Sequence, residues 1–493
     1  LGGLLATRQR KHLRFSTAEF LSEKPAARFL NIFAMAMAAA ICGAMAYSSW
    51  LVVEANRSLA ASSQTASVLP FGIPVWISEL IMPVALGLIA LRFIHQASPK
   101  WSGRLLALGL VLVLMSVLKT PTVAEEWLWP MAGLIIFSAI LGVPVFAAMA
   151  GLALVFYMAD GTPVSAVSAE VYKLIASPMI PAIPLLTACG CILAETRAAE
   201  RLVAFFKALV GWMPGGIAVL VAGVCAIFTT FTGGSGVTII ALGGLAYGML
   251  MKGGYPEGFA LGHVTASSSL GLLFPPSLPV ILYAVVVSGG PMAAMGVDGS
   301  ASVSVAADDL YIAGLLPGLL MAMMVAGYGL WVGRRVETER TPFDARLLFK
   351  TAWGAKWELS VPVLVIGLFA SGLFSMVEAA AFAALYALVI QVFVTKDIHL
   401  TRELPGVLAR TGVLVGAVLI LLASAMGLSA FCLVEAEVPD ILLEWCKANI
   451  DSKVMFLLLL NGLLLVLGSV IEIYSALVIL PPIIAPIALQ FGV

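Results

Sequence analysis

The chain has 493 residues, of which 61% are hydrophobic and 11% charged, with a formal net charge of zero. Apolar runs of 15 to 25 residues recur from end to end, which describes a polytopic all-α membrane protein rather than a soluble enzyme. The lipid bilayer is therefore its first partner, and the charge balance gives no basis for nucleic-acid binding.

In chain order, a basic start "RQRKHLR" precedes apolar runs at 28–50, 76–95 and 103–119. Runs at 127–141 and 143–158 follow, broken at "LGVP", and then runs at 178–194, 214–231 and 237–251. The next run, 257–288, is too long for one unbroken span; beyond it lie 311–332, 358–374, 377–395, 411–431, 453–468 and 476–490. The pairs 214–231/237–251 and 453–468/476–490 are read as re-entrant hairpins that return to the side they entered from. With the basic start inside, 22 of the 27 Lys and Arg fall on the cytoplasmic side, leaving Arg57, Lys119, Lys173, Lys447 and Lys453 outside. This positive-inside bias sets the orientation. The first residue is not Met and "IALQFGV" stops in mid-pattern, so the chain is expected to be incomplete at both ends.

Few side chains inside the apolar runs carry chemistry. Cys189 and Cys191 in "ACGCIL" sit two positions apart, so on a helix they point in different directions and read as packing residues. His263 reads as a hydrogen-bonded structural histidine, and Glu195, beside a basic loop, as an ion-pair partner. Glu378 and Glu472 are the informative acids; for Glu378 two readings stand, an intramembrane group or a solvated residue after a turn.

Polar backbone at membrane depth is tolerated only where it is buried in protein or lines a watery cavity, and two stretches invite that reading. In "TGGSGVT", Gly233, Gly234 and Gly236 let the backbone reverse while Thr232, Ser235 and Thr238 add hydroxyls. Carbonyl and hydroxyl oxygens of this kind can surround a small hard cation such as Na+. In "TASSSLGLLFPPSLPV", three serines, Gly271 and the pair Pro275–Pro276 cannot continue a helix. The carbonyls freed at Ser267 to Gly271 are expected to face the tip at Ser235. A second tip carries Gly468, Ser469, Glu472, Tyr474 and Ser475, and its matching broken helix would begin after Val493.

The stretches repeat. "LGVPVFAAMAGLALVF" parallels "FSMVEAAAFAALYALV", "ILAETRAAERLVAFFK" parallels "FCLVEAEVPDILLEWC", and the two tips follow in the same order. The loop with Arg197, Arg201 and Lys207 matches one with Glu435, Glu437, Asp440 and Glu444, so equivalent loops face opposite compartments, as in the inverted repeats of secondary transporters. The linker "VGRRVETERTPFDARLLFKTAWGAKWE" between the halves is expected to form a cytoplasmic amphipathic surface helix.

From Trp127 on, "IPLLTACGCILAE", "GWMPGGIA", "GGSGVT", "KGGYPEGFALG", "SSSLGLLFPPSLPVILY", "VEAAAFAALYA" and "GSVIEIYSALVILPPI" resemble the large membrane subunit of the TRAP (tripartite ATP-independent periplasmic) transporters. The region before it, with "FGIPVWISELIMPVALGLIALRFI", resembles the latter part of the family's small membrane subunit. The expected organisation is a small-subunit-like domain over 1–100, a connecting helix and linker over 101–126, a first repeat over 127–332 with hairpin 214–251, a linker helix over 333–357, and an incomplete second repeat over 358–493 with hairpin 453–490.

The resemblance implies an elevator-type symporter of the bacterial inner membrane. It would import organic acids, such as C4-dicarboxylates or sialic and other sugar acids, handed over by a periplasmic substrate-binding protein and driven by Na+. Carried over, the family pattern places a first sodium site on Thr232, Gly233, Ser235, Thr238, Ser267, Ser268, Gly271 and Pro275, and a second, incomplete one on Gly468, Glu472, Tyr474 and Ser475. Substrate contacts are expected from Thr230, Ser235, Ser269 and Tyr474. This sequence departs from the family where the usual aspartate-proline-threonine of the second tip becomes "EIY". The acidic segment with Glu435, Glu437, Asp440, Glu444 and Asp451 reads either as a solvated outer loop or as a docking face for the binding protein. Rival readings are a carboxylate symporter or antiporter without a binding protein, and a membrane subunit of an energy-converting complex, which would need a line of intramembrane Lys, His or Glu.

Overall fold

The computed structural model describes residues 2–9, 12, 25–62, 68–69, 72–117, 127–289, 307–336, 342–371, 373–436, 438–450, 452–470 and 473–492. These residues are almost wholly helical, and six described helices are long and apolar enough to cross a membrane, or nine if each sharply bent pair forms one span. Two two-residue strands, β1 (Val68–Leu69) and β2 (Ile73–Pro74), pair antiparallel in a loop.

By contacts the described residues fall into two compact units. The first is drawn from Leu1–Ser177 and Gly412–Val493, with Gly289. After the short α1 (Gly2–Gln9), α2 (Pro25–Ser62) runs twelve residues beyond the expected end, because no breaker interrupts "VVEANRSLAAS" once the apolar run stops. Ala, Met and Leu favour helix here, and the buried Ala34, Ala36, Ala38, Ala39 and Ala40 keep the helix slim on several sides, so that neighbouring helices can approach closely. Against α2 pack α4 (Ile81–Ala97), which follows the short α3 (Val75–Glu79), and α5 (Trp101–Val117). The same helix reaches the next segment. Ser48 Oγ donates to Val164 O at 2.6 Å and lies 2.7 Å from Ser168 Oγ, which joins it to α8 (Ser165–Ile175) beyond α6 (Leu128–Ile140) and α7 (Val145–Ala159). The break at "LGVP" is real, with Gly142 at φ 104.

The second unit is drawn from Pro178–Ser288 and Ser304–Thr411. Its elements are α9 (Ala182–Ala194), α10 (Ala198–Val210), α11 (Gly216–Thr232), α12 (Ser235–Lys252), α13 (Glu257–Ser267), α14 (Leu278–Gly289), α15 (Ala307–Gly333), α16 (Ala345–Gly354), α17 (Lys356–Ala370) and α18 (Met376–Val394). α9 packs on α11 and α18, while α11 packs on α13 and α15, around Leu186, Leu220, Leu270, Ile281 and Leu282, all under 3% exposed. α10 turns from α9 by 74° and α16 from α17 by 67°, so both lie across the directions of those apolar helices. α19 (Leu404–Ala430) starts seven residues before the expected 411 and passes from the second unit to the first at Gly412. α20 (Val438–Asn449), α21 (Lys453–Val470) and α22 (Ile473–Gln490) complete the first unit.

α8, α10 and α20 have no counterpart among the expected apolar runs. Each is a short amphipathic helix whose charges interrupt the hydrophobic run without interrupting its 3.6-residue period. The expected linker helix is present as α16. The second hairpin closes at its base, where the Phe456 and Phe491 rings stack 4.5 Å apart and Lys453 Nζ donates to Gly492 O.

Candidate functional site

The first hairpin turns in two residues. Gly233 ends α11 in the left-handed region, at φ 69, and its N–H donates to Thr229 O at 2.9 Å. Gly234 is extended and Ser235 begins α12. A side chain at Gly233 would meet Leu278 of α14 as well as an unfavourable φ, so glycine is required twice. Across the turn, Thr238 Oγ1 lies 2.9 Å from Thr229 Oγ1 and 3.0 Å from Thr232 Oγ1, and all three residues are buried. One turn further on, α12 widens into a π-helical turn over Ile239–Gly243.

The over-long run breaks as its serines and prolines require. α13 stops at Ser267, a 3-10 turn covers Leu270–Leu273, Pro275–Pro276 is cis, and α14 resumes at Leu278. The freed carbonyls do face the hairpin, though their partners are not Ser235. Thr229 Oγ1 lies 2.8 Å from Ser268 O, and Thr230 Oγ1 lies 3.2 Å from Gly271 O. The reason is helical geometry: Thr229 and Thr230 sit on the flank of α11, whereas Ser235 opens α12 and is half-buried. Among the described residues Ser235 has no side-chain hydrogen bond, and Ser269 Oγ donates back into its own turn, to Ala266 O.

The cluster is rich in lone pairs and poor in protons. Thr229 Oγ1 lies within 2.9 Å of Cys225 O, Thr238 Oγ1 and Ser268 O, yet has one proton to give. Thr230 Oγ1 divides its proton between Ala226 O at 2.9 Å and Gly271 O. Ser267 Oγ, fully buried at the end of α13, has no partner among the described residues. No cluster residue is charged, and among the described residues no three His, Cys, Asp or Glu side chains group as metal ligands. Such oxygens suit a hard monovalent cation better than an anion or a transition metal.

Of the sequence-derived residues, Thr230, Thr232, Gly233, Thr238, Ser267, Ser268 and Gly271 are thus gathered at one place, with Pro275 in the break that makes it. Thr229 was not among them, although it has the most acceptors around it. At the second tip, Gly468 is exposed, Ser469 Oγ donates to Val466 O, and Tyr474 is buried in the first turn of α22. Glu472 and the Ser475 side chain lie outside the described residues, as do Glu437, Asp451 and the Asp440 side chain.

The sequence pattern of the DctM component of the tripartite ATP-independent periplasmic transporters matches residues 130–493, and that of their DctQ component matches residues 1–103. The chain belongs to the TRAP transporters. This TRAP permease is a multi-pass membrane protein and not an enzyme. It is 29% identical over 432 residues to the isethionate TRAP transporter permease protein DctMQ of Oleidesulfovibrio alaskensis, over 85% of this chain and 65% of that protein, so it spans just under two thirds of that relative's length. It is 32% identical over 366 residues to the C4-dicarboxylate TRAP transporter large permease protein of Rhodobacter capsulatus, covering 73% of this chain and 82% of the relative. Similarity to the ectoine TRAP transporter large permease protein of Halomonas elongata is 28% over 315 residues, 62% of this chain and 67% of that one.

Elsewhere in the second unit of this TRAP permease, a buried charge network ties α10 to α17 and α18. Arg201 of α10 meets Glu358 Oε1 at 2.5 Å and Asp397 Oδ2 at 2.9 Å, and Gln391 Nε2 donates to the same Glu358 oxygen at 3.3 Å. The Glu358 side chain is 1% exposed. Asp397 reaches Arg201 because Lys396, at φ 57, reverses the chain after the π-helical turn that ends α18. Glu195 pairs with Arg410, and His263 Nε2 lies 2.9 Å from Ala218 O, so both have the structural roles expected of them.

Glu378 is exposed after the turn, as the second of its two readings expects, and lies in the first turn of α18. It completes a capping box with Ser375, whose N–H donates to Glu378 Oε2 at 2.7 Å while Ser375 Oγ accepts from Glu378 N at 3.3 Å. Ser375→Ala is therefore expected to destabilise the start of α18 by about 1 kcal/mol. A fall of about 1–2 °C in thermal unfolding of the purified protein would register it, and Ser375→Thr should recover most of the loss.

Proposed function

We propose that this chain is the fused membrane permease of a sodium-driven importer of small organic acids, working in a bacterial inner membrane with a soluble periplasmic binding protein. The observation that carries the sodium assignment is the proton-poor oxygen cluster at Thr229, Thr230, Thr232, Thr238, Ser267, Ser268 and Gly271. The names of the relatives, which carry isethionate, C4-dicarboxylates or ectoine, support an organic solute. The DctQ match supports the tripartite arrangement over a symporter that works without a binding protein. A carboxylate would sit at the N-termini of α12 and α14, whose free N–H groups favour negative charge.

Sodium does two things in this reading. It supplies the charge that the surplus oxygen lone pairs lack, and by doing so holds the hairpin against the broken helix. Each sodium entering down the potential contributes about 2.3 kcal/mol per 100 mV. The elevator movement is proposed for the hairpin and the broken helix that pack together in the second unit, with the inverted repeat as its frame.

The test is uptake into proteoliposomes supplied with the cognate binding protein. Thr229→Val should raise the sodium needed for half-maximal uptake about tenfold, the equivalent of ~1.4 kcal/mol for one lost oxygen ligand. Thr229→Ser, which keeps the hydroxyl, should stay close to the parent. Uptake that persists in sodium-free buffer and follows a proton gradient would overturn the reading.

A further inference from the structure

We propose that α10 and α16 form a headgroup-binding surface that selects anionic phospholipids. The two helices pack on each other, and each lies sharply across the apolar helix it joins, with bends of 74° and 67°. A helix in that attitude at the end of an apolar span lies along the membrane surface rather than through it.

Their exposed residues separate by chemistry. On α16, Phe349 and Trp353 are one turn apart with stacked rings, 71% and 63% exposed, and no residue of this helix is buried. Phe343, just before it, meets the Trp212 ring that follows α10. For a soluble face this would be an unexplained apolar patch. Beside the aromatic stripe, also one turn apart, stand Arg346 and Lys350, both exposed, and Lys207 is exposed on α10. Lys356 Nζ sits 3.9 Å from the Trp353 ring centre and 4.8 Å from that of Trp357, a cation held over aromatic faces as at a lipid–water boundary.

The charge excess points to an anionic occupant. Among the described residues, Lys207, Arg346, Lys350 and Lys356 have no ion pair, while the nearby carboxylates are engaged. Glu200 pairs with Arg197, Glu358 is buried against Arg201, and Asp344 accepts the backbone N–H of Arg346 as the cap of α16. A second protein copy would bring its own mixture of charges to this face. A leaflet of phosphatidylglycerol brings only negative headgroups over an apolar layer, which matches cations flanking exposed rings.

The test uses the purified full chain and native mass spectrometry, titrating phosphatidylglycerol and phosphatidylcholine of identical acyl chains. The parent should retain phosphatidylglycerol about a hundredfold more strongly. Arg346→Gln, Lys350→Gln and Lys356→Gln combined should bring it to the level of phosphatidylcholine, at about fivefold per charge removed. Arg402→Gln, an exposed cation elsewhere, should leave the preference unchanged. Should the triple variant fail to fold, the single Lys350→Gln, at an exposed position, should still lower the preference about fivefold. Equal retention of the two lipids by the parent would overturn the proposal, as would a preference that survives the substitutions. So would a dimer that Trp353→Ser dissociates, which would give this face to a second copy.

Discussion

Gly271→Ala is expected to separate the first hairpin from the broken helix and abolish transport. A Cβ at this position would lie 2.5 Å from Thr230 N and 2.8 Å from Thr229 Cβ, and it would also strike Ala226 O. These belong to the helical body of α11, so no flexible side chain can swing aside. The 3-10 turn must then retreat, and the contacts from Thr229 to Ser268 O and from Thr230 to Gly271 O open together. Overpacking against backbone costs about 3 kcal/mol, which should appear as a drop of roughly 5 °C or more in unfolding temperature. Gly236→Ala is the matched control, because a Cβ there meets nothing within 4 Å. Equal behaviour of the two variants would show that α11 and the turn do not approach so closely.

Arg201→Ala should destabilise the protein by about 3–5 kcal/mol, because it strands the carboxylate of Glu358 in a dry site and takes from Asp397 its counter-charge. Glu358 Oε2 is already buried without a partner among the described residues, and beside the one hydrogen bond from Gln391 to Oε1, Arg201 supplies the only counter-charge described for Glu358. Arg201→Lys should recover only part of the loss, since one ammonium cannot address Glu358, Asp397 and Gln391 with the planar fork of a guanidinium. Replacing both partners, Arg201→Met with Glu358→Leu, should be milder than Arg201→Ala alone, as no charge is left stranded on α17. The contrast is Arg410→Ala, whose pair with Glu195 is 62% and 39% exposed and should contribute less than ~1 kcal/mol. Thermal unfolding of the four variants side by side measures the difference. An Arg201→Ala protein as stable as the parent would show that the network contributes nothing.

Much of the site was legible in one dimension because its causes are local. Gly233 and Gly234 free the backbone for a left-handed helix end, and serines followed by two prolines break a helix within a few residues. The tip at Gly233 and the break from Ser268 to Pro276 therefore followed from residue chemistry alone, as did the long apolar helices. Glu378 shows the limit of that reasoning. Its local sequence allowed a membrane acid or a solvated residue after a turn, and only its exposure and its hydrogen bonds with Ser375 decided between them.

What tertiary structure decided was partnership. Ser235 looked like the hydroxyl at the heart of the turn, but the rotation of α11 presents Thr229 and Thr230 to the broken helix instead, 39 and 41 residues further along the chain. Arg201 and Glu358, separated by 157 residues, carry no mutual signal in the sequence, and the short helices α8, α10 and α20 were hidden by their own charges. The physical reason is one of range. Backbone propensity and apolar periodicity act over a single turn or span and can be read in place, whereas a side chain's partner depends on how helices rotate and pack, which their combined packing alone determines.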